Sequence, residues 1–162
     1  MSEGLAVFFD IGDTLASPVV AGGRLTGLDV YPLVPDVLAR LREAAADHAV
    51  VRVGLLSNTG DATAAAMDDL LDGAGLLALV DPGLCLFSSV EGLDKTNPAF
   101  FARAHERAGL PPGRCVYVGE DAAERAVAAS AGLRVSPHPL HALHLVEQEL
   151  GTDHHEGAPH VT

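Results

Sequence analysis

The sequence predicts an α/β fold, a doubly wound parallel sheet of five strands with helices on both faces. Two observations carry this expectation. Short, continuously apolar runs, the kind buried on both faces of a parallel sheet, alternate along the chain with stretches of helical periodicity. The residues able to do chemistry, several acids, a Ser and a Lys, stand just beyond the C-terminal ends of those runs, where doubly wound sheets place their ligand sites. Repeated strand, helix, strand order also favours parallel pairing through right-handed crossovers.

"LAVFFD" (5–10) is the first expected strand. Residues 16–34, "ASPVVAGGRLTGLDVYPLV", suffice for a hairpin flap turning at "AGGR" but not for an inserted helical domain. Residues 34–47 carry Val37, Leu38, Leu41 and Ala45 at helical spacing, with Pro35 near the start. "VVRVGLLSN" (50–58) is a second buried strand, followed by a helix from near Asp61 to about Leu71 and a weaker strand within "LCLFS" (84–88). Residues 97–109 read as a helix with Asn97 as N-cap, Pro98 in the first turn and Gly109 as its stop. "CVYVGE" (115–120) is a fourth strand, 122–132 a helix closed by Gly132, and "LRVSP" (133–137) a fifth strand. A last helix is expected from about 139 to 150.

At 162 residues the chain can bury an ordinary single core, here expected over residues 1–150 without a separate cap domain, with 151–162 a disordered His-rich tail. In that region His138, His141 and His144, spaced by three, fit one helical face, while Asp153, His154, His155 and His160 resemble a loose metal-binding tract. No segment has the pattern of a signal peptide or a membrane span, so a cytoplasmic location is expected. Cys85 and Cys115 are too few for a disulfide framework and read as small buried hydrophobes. A formal charge of −12 excludes nucleic acid and anionic membranes as expected partners. Against that background Lys95 is the only lysine beside nine arginines.

Asp10 follows the first strand, Ser57 and Asn58 the second, Lys95 the third, and Glu120 with Asp121 the fourth. In order and spacing, "FFDIGDTL", "LLSN", "DKTNPAFF" and "VYVGEDAAERAVAASAG" resemble the four motifs of the haloacid dehalogenase (HAD) superfamily, and they span residues 5 to about 137. The resemblance implies a Rossmann-like HAD core. It makes Asp10 the nucleophile that forms an aspartyl-phosphate, Ser57 and Asn58 the phosphate-binding pair, and Lys95 the point charge between nucleophile and phosphate. Counting back from Ala131 and Gly132 aligns Glu120 with the usual metal-binding Asp, Asp121 with a common Ser, and Glu124 with the second acid. A hard oxygen site of this kind, formed by Asp10, the Gly12 carbonyl and Glu120 or Asp121, suits Mg²⁺.

The main departure is Gly12. Family phosphatases usually carry a second Asp there, which protonates the leaving oxygen and then activates water. Asp13 is adjacent but in a different register. The expected function is therefore an Mg²⁺-dependent phosphohydrolase acting on a phosphorylated small molecule or macromolecule, its open site possible to cover by a second subunit. The alternative is a weakly catalytic or non-catalytic module that binds a phosphorylated ligand or a protein. Halide displacement fits less well, because those enzymes use a helical cap and no metal.

Overall fold

The computed structural model describes residues 4–44 and 50–155. Its centre is β1 (Leu5–Phe9), five residues without a polar side chain and all buried. β1 pairs in parallel with β4 (Val51–Ser57) on one side, Phe9 opposite Leu55, and with β6 (Cys115–Val118) on the other, Phe9 opposite Val118. β5 (Cys85–Phe87) and β7 (Arg134–Ser136) complete a five-stranded sheet of order β5-β4-β1-β6-β7. Chain order therefore reverses at β1. The crevice this opens lies at the C-terminal ends of β1, β4 and β6.

Period-2 alternation divides β1 between two cores. Leu5, Val7 and Phe9 pack with Val37, Leu38 and Leu41 of α1 (Val34–Glu43), Met67 and Leu71 of α2 (Ala64–Gly73), and Leu143 and Val146 of α6 (Pro139–His155). Ala6 and Phe8 pack on the opposite face with Phe100, Phe101 and Ala104 of α4 (Pro98–Ala108), Ala128 of α5 (Ala122–Ser130), and Tyr117. Each fully buried Phe or Leu is worth roughly 1.5–3 kcal/mol. At Gly54 a Cβ would lie 2.5 Å from the Leu84 carbonyl oxygen and 2.9 Å from the Phe8 ring, so only glycine lets this part of β4 sit so close to its neighbours.

Every predicted sheet strand and every predicted helix between residues 34 and 150 is present, with ends shifted by a few residues. Asn97 accepts from Ala99 N at 2.9 Å, Pro98 opens α4, and Gly109 closes it at φ 69°. The flap is a hairpin of β2 (Ala16–Ala21) and β3 (Arg24–Val30), turning at Gly22 and Gly23 with φ 59° and 78°. Positive φ at both central residues is what a tight hairpin turn demands. No inserted helix lies between Leu15 and Val34.

Four expectations need correction. The helix after β4 starts at Ala64 rather than Asp61, because Thr63 caps it and Thr59 is tied to Ser88 and Ser89, holding 59–62 as a loop. β6 ends at Val118, two residues short of Glu120. α3 (Ser88–Glu91) and three single 3-10 turns were not foreseen; elements this short carry no periodicity. Finally, α6 runs to His155, five residues past its expected end near 150. Gly151 inside a helix costs only about 1 kcal/mol, and no proline follows until Pro159. The expected helical residues 45–47 and the tail beyond 155, His160 included, lie outside the described residues. Among the described residues, no helix is long and apolar enough to cross a membrane.

Candidate active site

The site grows from the end of the central strand. Asp10 N donates to Val118 O at 2.9 Å, extending the β1–β6 ladder by one bond before the chain turns away. The turn winds around one carbonyl: Ile11 O accepts from Thr14, Leu15 and Ala16 N at 3.3, 2.9 and 3.2 Å. Asp13 takes φ 61°, the left-handed region that Asp tolerates better than most side chains. Gly12, the residue before it, stays outside that region. Asp13 is exposed, with no hydrogen bond or ion pair from its carboxylate among the described residues.

Asp10 Oδ1 accepts from Ile11 N at 2.9 Å and from Lys95 Nζ at 2.6 Å. Among the described residues its Oδ2 meets only Thr14 Oγ1, at 3.5 Å, a weak contact. One oxygen is thus anchored and the other left available. Lys95 is only 2% exposed, although lysine almost never buries without a partner. It has two: Asp10, and Glu124 Oε1 at 3.1 Å, while Nζ lies 5.4 Å from the centroid of the Tyr117 ring. Asn58 sets the lysine's height, its Oδ1 accepting from Lys95 N at 3.1 Å.

Burial pushes the Glu124 carboxyl above its ordinary value, with Lys95 acting in the opposite direction. Tyr117 lies beneath this cluster, its hydroxyl buried and without a hydrogen-bond partner among the described residues. Burial first, and then the Asp10 charge, raise its phenol. The turn after β6 is pinned by Arg125, which donates to Gly119 O at 2.7 Å. Gly119 is obligatory there, since a Cβ would fall 2.6 Å from Tyr117 Oη.

Glu120 N donates to Thr14 Oγ1 at 3.3 Å, so the backbone of the fourth motif stands one hydroxyl away from Asp10. The Glu120 carboxylate is exposed and has no partner among the described residues. Asp121 is also exposed, but its Oδ1 caps α5, accepting from Ala123 N at 2.8 Å and Glu124 N at 3.0 Å. No group of three His, Cys, Asp or Glu side chains forms a dedicated metal cage among the described residues. The donors nevertheless fit Mg²⁺, which needs only one or two carboxylates and takes its remaining oxygens from water and substrate. Charge points the same way: Asp10 and Glu124 share the Lys95 ammonium, and Glu120 and Asp121 add two more acids on the adjoining turn, so an incoming phosphate would meet excess negative charge without a further cation.

Ser57 is the last residue of β4, 7% exposed, its hydroxyl uncommitted among the described residues. With Gly12 it borders a cavity of about 290 Å³ between the Asp10 turn, the hairpin and α2. The cavity walls are apolar: Ile11, Pro18, Leu25, Leu28, Met67 and Leu70. Arg24, at the hairpin turn, is exposed and makes no ion pair among the described residues.

Asp10 and Lys95 therefore meet directly, the Glu120 backbone is joined to Asp10 through the Thr14 hydroxyl, and Ser57 stands at the rim of the adjoining cavity. Asn58, expected to bind phosphate, uses its side-chain carbonyl oxygen to hold the Lys95 backbone. Three features went unnoticed in the sequence. Glu124 as the second partner of Lys95 required tertiary contact. The Tyr117 ring beneath Lys95 could have been found by counting alternate residues along β6. The apolar cavity draws on four separate segments. His141, of the three spaced histidines, bonds Ser136 Oγ through Nδ1 at 2.8 Å and belongs to the start of α6. Cys85 and Cys115 are free, and burial raises their thiols to about 12 and about 11.

A family model for haloacid dehalogenase-like hydrolases matches residues 18–132, which include Ser57, Lys95 and the Glu120–Glu124 stretch. Among solved structures, an uncharacterised protein from Listeria monocytogenes superposes with TM-score 0.70 at 15% identity, over 89% of this chain and 99% of its own. A HAD phosphatase from Thermococcus onnurineus matches with TM-score 0.56 at 26% identity, over 67% of this chain and 46% of its own. An L-2-haloacid dehalogenase matches with TM-score 0.60 at 21% identity, over 74% of this chain and 57% of its own. The chain thus spans about half the length of those two larger proteins. No curated protein matches it. With the sheet order, the placement of Lys95 against Asp10 and the family match over most of its length, the chain belongs to the haloacid dehalogenase-like hydrolases.

Proposed function

We propose that this hydrolase is a phosphohydrolase in which Asp10 is the nucleophile and Mg²⁺ the cofactor. The observation that carries the reading is the buried Lys95 ammonium 2.6 Å from Asp10 Oδ1, with Oδ2 left free of any strong contact. Oδ2 attacks phosphorus, forming an Oδ–P bond as the ester oxygen departs with its electron pair. Water then attacks phosphorus, releasing inorganic phosphate and restoring the carboxylate. Lys95 offsets the charge of Asp10 and of the transferring group, and the Ser57 hydroxyl donates to a phosphoryl oxygen. Asp10, the Gly12 carbonyl and Glu120 are the groups that would hold Mg²⁺, with Asp121 the less available because it caps α5. The cation would supply charge neutralisation of the phosphate.

The test is hydrolysis of an aryl phosphate with and without Mg²⁺ by the wild type and by Asp10→Asn. Activity should need the metal and vanish in the variant, whose amide cannot form the covalent intermediate. Turnover retained by Asp10→Asn would move the nucleophile elsewhere. Gly12, which lacks the usual second carboxylate, favours one other reading, a module that binds a phosphorylated ligand with little or no turnover. Calorimetric binding of Mg²⁺ and phosphate without hydrolysis of any ester would decide for it.

A further inference from the structure

We infer that the substrates are phosphate monoesters of phenols bearing apolar substituents, the ring lodging in the cavity beside Gly12; this rests on the phosphohydrolase reading above. The cavity, at about 290 Å³, lies near the lower end of the roughly 300–1,000 Å³ typical of small-molecule pockets. It meets the site at Ser57, with polar neighbours Asn58 and Thr59 at that end and apolar walls elsewhere. No Lys, Arg or His lines it. A carboxylate or second phosphate on the substrate would lose its hydration there without gaining a partner.

Gly12 contributes in two ways. A Cβ built on it would meet only Pro18 Cγ, at 3.8 Å, so the missing side chain leaves open space at the cavity wall two residues from Asp10. The same absence removes the usual proton donor for the leaving oxygen, and Asp13 is held in a left-handed turn with its carboxylate exposed. An alkoxide leaves poorly without a proton. A phenol, whose pKa is about 10, departs as its phenolate without help. The exchange balances: the P–O bond to the ring breaks, phenolate carries off the pair and takes a proton from solvent, and water supplies the oxygen of the phosphate released.

The experiment compares kcat/KM of the full chain on 4-propylphenyl phosphate and 4-(carboxymethyl)phenyl phosphate, whose leaving groups are nearly equal in acidity. The wild type should prefer the propyl ester by about 10-fold or more, the range set by small differences in an apolar pocket. Leu25→Arg alters a cavity residue that is 49% exposed on the hairpin, so folding is retained, and it should reduce that preference by about 10-fold. As a readout independent of turnover, 4-propylphenol should bind saturably to both wild type and Asp10→Asn by calorimetry, and at least 10-fold more weakly to Leu25→Arg. Equal kcat/KM for the two esters in the wild type, or a preference untouched by Leu25→Arg, overturns the inference while leaving the phosphohydrolase intact. Failure of the phenol to bind overturns it as well. Turnover of neither ester alongside Leu25-dependent phenol binding upholds the cavity as an aromatic site and defeats the catalytic reading instead.

Discussion

If the protein is the phosphohydrolase proposed, replacing Gly12 with Asp should supply a proton for the leaving oxygen, and the structure has room for the change. Gly12 does not occupy the left-handed region, and the nearest atom to a built Cβ is Pro18 Cγ at 3.8 Å, an ordinary van der Waals distance. The backbone therefore accepts a side chain without strain. General acid assistance is worth about 10²–10⁴ in rate, or roughly 3–5 kcal/mol of barrier at 1.36 kcal/mol per tenfold. That gain should fall on alkyl phosphates, whose leaving oxygens need the proton. Simple aryl phosphates should change little, and bulky apolar ones should slow as the carboxylate enters the cavity. The assay is a Brønsted series: log kcat/KM against leaving-group pKa for phosphates from nitrophenyl to ethyl, in wild type and variant, with Mg²⁺. A steep negative slope in the wild type should flatten in Gly12→Asp. A wild type that already hydrolyses alkyl and aryl esters at similar rates would refute the reasoning and name Asp13 as the first suspect for the proton, to be tested by Asp13→Asn.

Lys95→Met should lose most activity, and breaking one side of a buried ion cluster typically costs about 3–5 kcal/mol, so a depressed melting temperature should accompany the kinetic loss. Lys95→Arg should restore little, since a planar fork cannot replace a point charge held between two carboxylates. Tyr117→Phe should raise stability by about 1–3 kcal/mol in urea unfolding by removing a buried hydroxyl that lacks a protein partner, and should keep turnover; a loss of stability would reveal an unseen partner for that hydroxyl. Glu124 is raised above its ordinary 4.5 by burial, so the folded state holds its proton more tightly than the unfolded state does. Its favourable linkage is complete below about pH 4.5 and is lost as pH rises through the higher folded value. The melting temperature of wild type minus that of Glu124→Gln should therefore fall over this interval, and a flat difference would disprove the assignment.

The sequence by itself determined the sheet, most helices and the axis of the site. Continuous apolar runs can be satisfied only by strands covered on both faces, and a local cap such as Asn97 or a stop such as Gly109 acts within a few residues, so both are legible one dimension at a time. Asp10, Ser57, Lys95 and Glu120 were legible because parallel strands deliver their C-terminal ends to one edge whatever the detailed packing. Tertiary structure decided the rest. That Asn58 holds the backbone of Lys95, that Asp121 is spent on a helix cap while Glu120 stays free, and that Glu124 shares the lysine depend on where α4 and α5 settle against β1, distances that no spacing encodes. Gly12 marks the boundary. As a letter it is a missing carboxylate, but in the folded chain it also lines an apolar cavity, because the hairpin and α2, distant in sequence, close the other sides.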